Sequence, residues 1–201
     1  LESGNPSGSY KDRFGAAAIS SMLESERTNC IATSSGNTGA GLAAYCAAAG
    51  ICCRIAIVET APISKLKQMM AYGAEIFRVQ GFGLDPNITT KTFETLRQIG
   101  KRPDCALQVS AYTYSDAGMT GVETISFELA DQLENIDHVF CPSGGGGLCV
   151  ATARGFGRLV VEKRLATSPA VHCVQPEGNN TIAGPSREGR DHAQEVSCTS
   201  K

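Results

Sequence analysis

Lys11 follows a run of small and turn-forming residues, Glu2-Ser-Gly-Asn-Pro-Ser-Gly-Ser-Tyr10, and opens a stretch in which Phe14, Ala17, Ala18 and Met22 recur at helical spacing. A lysine at a helix N-terminus faces the positive end of the macrodipole, which disfavours its ammonium form and lowers its pKa. Such a lysine suits work as an amine, either as a nucleophile or as a Schiff-base partner. The plain alternative is a solvated first-turn side chain. Two other stretches could hold a ligand. Ser143-Gly-Gly-Gly-Gly147 lies between a strand pattern and a helix pattern. It leaves a row of backbone N–H groups uncovered at the positive end of a helix, a cradle for a phosphate, to which Ser143 adds a hydroxyl. A tight turn rich in glycine is the competing explanation. Ser34-Ser-Gly-Asn-Thr-Gly39 offers hydroxyls, an amide and a helix N-terminus, suited to a carboxylate and a polar ring substituent. An ordinary N-cap by Asn37 or Thr38 would look the same.

The phosphate compound is narrowed by what is missing. No lysine follows Gly147, as a Walker A loop would require. Gly144 and Gly146 run on to Cys149 without completing a dinucleotide fingerprint, and no acidic residue ends a second strand about 20 residues on. ATP and NAD are therefore disfavoured. A lysine of lowered pKa, a phosphate cradle and a second anion site together fit a small phosphorylated aldehyde bound through an imine. Pyridoxal 5′-phosphate (PLP), with an amino acid as substrate, meets all three.

The elements that position these stretches alternate along the chain. Helices are predicted over 12–26, 38–49, 64–72, 86–99, 119–133 and 148–164, and strands over 29–33, 54–58, 75–79, 106–109, 137–141 and 170–174. Gly50, Gly73 and Gly100 close helices. Leu66, Met69 and Met70 are expected to face inward, as are the stripes Ile88/Thr92/Leu96/Ile99 and Val122/Ile125/Leu129/Leu133. Strand–helix alternation predicts an α/β fold with a mainly parallel sheet, in which ligands sit at the carboxyl ends of strands, where the loops at 34–39 and 142–147 fall. The chain opens at Leu1 directly on the lysine loop and ends after an aperiodic polar stretch over 184–200, so both ends read as cuts through a longer protein.

Composition is that of an ordinary soluble globular protein. Across 201 residues, 42% are hydrophobic and 19% charged, with a net charge of −2 and no basic excess that would suit nucleic acid. The richest apolar run, 42–53, is too short to span a membrane, which takes about 18 residues or more, and no signal peptide is visible. Nine cysteines, an odd number set mostly in apolar runs, read as buried thiols in a reducing cytoplasm. No cysteine or histidine spacing matches a zinc site, and His138, His172 and His192 are scattered, so no metal is expected.

Asn5-Pro-Ser-Gly-Ser-Tyr-Lys11-Asp-Arg13 resembles the lysine motif of the fold type II PLP enzymes, the tryptophan synthase β-subunit superfamily. Ser34-Ser-Gly-Asn-Thr38 is similar to that family's substrate loop, and Ser143 to Gly147 to its phosphate loop, in matching order and spacing over nearly the whole chain. The resemblance implies the three-layer parallel-sheet domains of that family: a large PLP-binding domain from 1–29 and 111–201, incomplete here, and a small domain over 30–110 that closes over the substrate. It implies that Lys11 holds the cofactor as a Schiff base and later moves the substrate α-proton. Asn37 would hydrogen-bond the cofactor's 3′-oxygen, and Ser34, Ser35, Gly36 and Thr38 would hold the substrate carboxylate. Ser143, Gly144, Gly145, Gly146 and Gly147 would bind the phosphate. The segments 65–74, 120–128 and 175–178 look most like threonine synthases, which implies a cytoplasmic lyase or synthase of amino-acid metabolism, in a family whose members are commonly homodimers. The glycine loop is closer to serine/threonine dehydratases, so a dehydratase-type β-eliminase is the second reading. A truncated, non-catalytic α/β fragment that binds a phosphorylated ligand is the third.

Overall fold

The computed structural model describes residues 1–61 and 63–194, with residues 64 and 65 described by their backbone alone. The chain divides into two compact units, Leu1–Gly121 and Val122–Lys201. In the first, α1 (Lys11–Glu24), β1 (Asn29–Thr33), α2 (Asn37–Ala49), β2 (Cys52–Ile57), α3 (Ile63–Ala71), β3 (Glu75–Arg78), α4 (Pro86–Gly100) and β4 (Cys105–Gln108) follow in order, before α5 (Asp116–Gln132) begins. The four strands make one parallel sheet in the order β3-β2-β1-β4, with Asn29 opposite both Cys52 and Cys105. Parallel strands joined by helical crossovers are covered on their faces and read as near-continuous apolar runs. In β1, accordingly, Cys30, Ile31 and Ala32 are all buried.

Local sequence explains where the helices stop. Gly50 takes the left-handed conformation (φ 67°) and lets the N–H of Ile51 reach the Cys46 carbonyl at 2.9 Å. At the start of α4, the Asp85 carboxylate accepts from the N–H groups of Asn87 and Ile88, and Pro86 occupies the first helical position. Phe14 and Met22 of α1, Leu42 of α2, Ile55 and Ile57 of β2 and Met69 of α3 form the buried interior. Here α1 and α2 approach closely because neither carries a side chain where they cross. A Cβ on Gly15 would lie 3.1 Å from the Gly41 backbone, and one on Gly41 would lie 3.0 Å from the Lys11 carbonyl oxygen.

The second unit contains the rest of α5, then β5 (His138–Pro142), α6 (Gly147–Val161), β6 (Ala170–Val174) and the short α7 (Ala183–Arg187). β5 and β6 pair in parallel, with His138 opposite Ala170. α6 packs on α5 at Gly155, where a Cβ would come within 2.5 Å of the Glu123 carbonyl. Glu123 is fully buried in this contact and paired with Arg158 at 2.7 Å, and Ser126 donates to the Thr152 carbonyl at 2.8 Å.

The α/β class with parallel sheets holds in the structure, and element boundaries fall within three residues of expectation. Some expectations are corrected. Met70 and Leu133 do not face inward: they are 48% and 50% exposed. On α5 the buried line runs through Met119, Val122, Glu123 and Ser126, because the Arg158 pair and the Thr152 carbonyl satisfy the polar groups there. The polar stretch over 184–200 is partly helical, in α7, while residues 195–200 lie outside the described residues, and with them Cys198. The histidines are not all scattered: Nδ1 of His138 and Nε2 of His172 stand 3.0 Å apart across β5 and β6. Of the described cysteines, Cys30, Cys46, Cys53, Cys105 and Cys141 are buried thiols as expected, whereas Cys52, Cys149 and Cys173 are half-buried. No helix among the described residues is long and apolar enough to cross a membrane.

Candidate active site

The loop before α1 is shaped by two charged side chains that follow the lysine. The Asp12 carboxylate, 1% exposed, turns back to accept from the N–H of Ser7 at 3.0 Å, the Ser7 hydroxyl at 2.6 Å and the N–H of Ser9 at 3.3 Å. Arg13 pairs with Glu2 at 2.7 Å. Gly8 makes the turn with φ +83°, a conformation that favours glycine. α3 and the residue that follows it brace the same loop, with Gln68 donating to the Ser7 carbonyl and the Tyr72 hydroxyl to that of Pro6, both at 3.1 Å.

Held in this way, Lys11 is the first residue of α1 and half-buried. Its ammonium nitrogen donates to the Ser110 hydroxyl at 2.7 Å and lies 4.6 Å from the centre of the Tyr10 ring. Burial lowers its pKa from 10.5 to about 8. The direction is the one expected from the sequence, and its cause here is loss of water. Such a lysine holds a usable fraction of neutral amine near neutral pH.

The loop at 34–39 precedes α2 in the same unit. Neither Asn37 nor Thr38 caps the helix; Gly36 is the N-cap, and no side chain closes the first turn. The Ser34 hydroxyl accepts from the N–H of Gly36 at 3.3 Å, and Ser34, Ser35, Gly36 and Thr38 are half-buried while Asn37 is exposed. Gly39 is required here: a Cβ would lie 2.5 Å from the Ser34 carbonyl and 2.9 Å from the Met69 sulfur.

In the second unit Gly146 caps α6 with φ +79°, and a Cβ there would press on Ile182 at 2.8 Å. Gly144 and Gly145 differ, because a Cβ at either would meet nothing within 4 Å and neither needs a positive φ. The protein itself does not require their bareness; a ligand lying on the loop would. Ser143 is 8% exposed, and its hydroxyl donates to the Cys141 carbonyl at 3.0 Å, with the Cys149 sulfur at 2.9 Å. Gln175 fixes the loop from behind, donating to the Gly144 carbonyl at 3.0 Å and to Thr181 at 3.1 Å while accepting from the N–H groups of Ile182 and Ala183.

Three contributors escaped the reading of the sequence. Asp12 and Gln175 lie within the motifs that carried the resemblance, but their contacts are made by folding back on the loops and have no local signature. Ser110 follows β4 in a stretch without any motif, and only the fold brings it to Lys11.

The scaffold is parallel α/β, with a half-buried lysine of lowered pKa in one unit and, in the other, a loop whose Gly144 and Gly145 are bare for no steric reason of their own, features of the class of enzymes that take a phosphorylated cofactor. Residues 1–200 match the family model described as pyridoxal-phosphate dependent enzyme, and the chain belongs to that family, whose cofactor is pyridoxal phosphate. It is 35% identical over 183 residues to a threonine synthase from Bacillus sp. (strain ULM1), covering 90% of this chain and 49% of that protein. It is 32% identical over 167 residues to the 2-amino-4-ketopentanoate thiolase beta subunit of Acetoanaerobium sticklandii, covering 77% of this chain and 34% of that one. Among solved structures, serine racemase from Dictyostelium discoideum matches with a TM-score of 0.74 and 26% identity, over 94% of this chain and 57% of that chain. The chain spans about half the length of the threonine synthases it matches.

Proposed function

We propose that the chain is the lysine-bearing part of a threonine synthase-like PLP enzyme, which removes the α-proton of a small amino acid and carries out β/γ-elimination or replacement. The observation that carries this reading is Lys11, half-buried at the start of α1 with its pKa lowered to about 8. When bound, the cofactor supplies an electron sink for the charge left by the departing α-proton. The side chains do the rest. Lys11 would hold the cofactor through Nζ, and the same nitrogen would carry the substrate α-proton. Its partner Ser110 accepts from the ammonium form and keeps it in place. Ser34, Ser35, Gly36 and Thr38 receive the substrate carboxylate at the uncapped start of α2, and Asn37 hydrogen-bonds the cofactor's 3′-oxygen. Ser143, Gly144, Gly145, Gly146 and Gly147 receive the phosphate, supported by the open space over Gly144 and Gly145.

Residues 30–110 act as the small domain that closes over the substrate, with 1–29 and 111–201 belonging to the large one; the four-stranded sheet, spanning 29–108, favours that division, whereas compactness alone groups Leu1–Gly121 together. The enzyme works in the cytoplasm, as a homodimer, on a small amino-acid substrate.

Borohydride reduction of the PLP-loaded chain followed by peptide mass spectrometry tests the anchor. The pyridoxyl mass is expected on the peptide containing Lys11, and a label elsewhere, or a Lys11→Ala variant that keeps the visible cofactor band, would refute it. Phosphate release and threonine formation from O-phosphohomoserine are expected. Ammonia and keto-acid release from threonine, with no turnover of O-phosphohomoserine, would replace this reading with the dehydratase one.

A further inference from the structure

Three thiols from three elements meet inside the first unit. Cys30 lies on β1, Cys53 is its register partner on β2, and Cys46 comes from α2. Their sulfur atoms all lie within 4.8 Å of one another, and the residues are 0%, 1% and 5% exposed for Cys30, Cys46 and Cys53. The neighbouring positions on the same strand faces, Ala32 and Ile55, and Leu42 one helical turn before Cys46, are buried and apolar. No local pattern marks this group, because the three residues come from separate elements and match no ligand spacing.

The donor set decides which ligand fits. No histidine or carboxylate joins the cluster among the described residues. Hard cations that need oxygen are therefore excluded, and tetrahedral zinc would lack a fourth ligand. A metal–thiolate bond of about 2.3 Å places the sulfurs of a trigonal planar centre about 4.0 Å apart. The observed group needs to contract by less than about 1 Å to reach that geometry. Soft sulfur donors in an apolar pocket favour copper(I).

We propose that Cys30, Cys46 and Cys53 form a buried three-sulfur site for a soft, thiophilic monovalent ion of the copper(I) class. Binding forms three sulfur–copper bonds as the ion leaves its chelator, and the ligating sulfurs bind as thiolates, their protons passing to solvent. The bound ion would tie β1 and β2 to α2, the helix that carries the 34–38 loop at its other end.

The test is an anaerobic titration of the fully reduced chain with copper(I) against a competing chromophoric chelator. One equivalent is expected to bind, with release of protons from the ligating thiols. Affinity should fall by at least about a hundredfold in Cys30→Ser, Cys46→Ser and Cys53→Ser, a loss that changes outside the ligand shell already approach. Cys52→Ser serves as the control and should bind as the parent does. Failure of the parent chain to bind, or equal affinity in the Cys30→Ser/Cys46→Ser/Cys53→Ser variant, would show that the three thiols only fill space. Alkylation of the unsubstituted chain followed by peptide mass spectrometry needs no variant to fold. Copper(I) should protect Cys30, Cys46 and Cys53 selectively under brief denaturation, and unselective protection would overturn the site.

Discussion

Lys11 carries a pH dependence whose sign follows from its burial. Its folded pKa, about 8, lies below the ordinary 10.5, so the unfolded chain binds the extra proton more readily over that interval. The side chain therefore costs stability below pH 8, and the cost fades as pH rises from 8 to 10.5. Lys11→Met should raise the urea midpoint of the cofactor-free chain at pH 7, with the difference vanishing above pH 10.5. A gain that stays constant with pH would mean that the lysine is solvated. Acylation of the cofactor-free chain should likewise label Lys11 with an inflection near pH 8. Asp12 makes the opposite kind of contribution. Three donors from Ser7 and Ser9 converge on its buried carboxylate, so Asp12→Ala leaves them without an acceptor and should cost about 2–3 kcal/mol in urea unfolding.

The helix-start glycines separate packing from ligand binding. At Gly39 a methyl group would meet the Ser34 carbonyl and Met69, so Gly39→Ala should destabilise by about 1–3 kcal/mol. Gly144→Ala meets open space and should leave the cofactor-free chain within about 0.5 kcal/mol of the parent. If the loop holds the phosphate, that same methyl should weaken PLP binding, read by cofactor titration; unchanged binding would remove Gly144 from the site. Strands and glycine-ended helices were legible in the sequence because hydrophobic period and turn chemistry are local properties. Asn29–Thr33 and Ala170–Val174 stand where the pattern placed them. The face of α5 was not legible, since burial of Glu123 depends on Arg158 on another helix. The Ser110 partner of Lys11 and the meeting of Cys30, Cys46 and Cys53 depend likewise on which elements become neighbours, a matter of topology that no single stretch encodes.

For the molecule as a whole, cofactor binding should appear as stability. A ligand present at a hundredfold over its dissociation constant adds about 2.7 kcal/mol, or roughly 5–10 °C in a chain of this size. Melting curves with and without PLP measure it directly, and Lys11→Ala, lacking the covalent anchor, should show less of the shift. An equal shift in both would place the PLP responsible at some site other than Lys11. The crossing of α1 and α2 has a further consequence, for how the protein tolerates change. At Gly41 the nearest obstacle to any added side chain is the carbonyl oxygen of Lys11 itself. In a saturation-mutagenesis map, position 41 should therefore score like a catalytic position although it touches no ligand. Variation on the second helix is felt first by the backbone of the lysine.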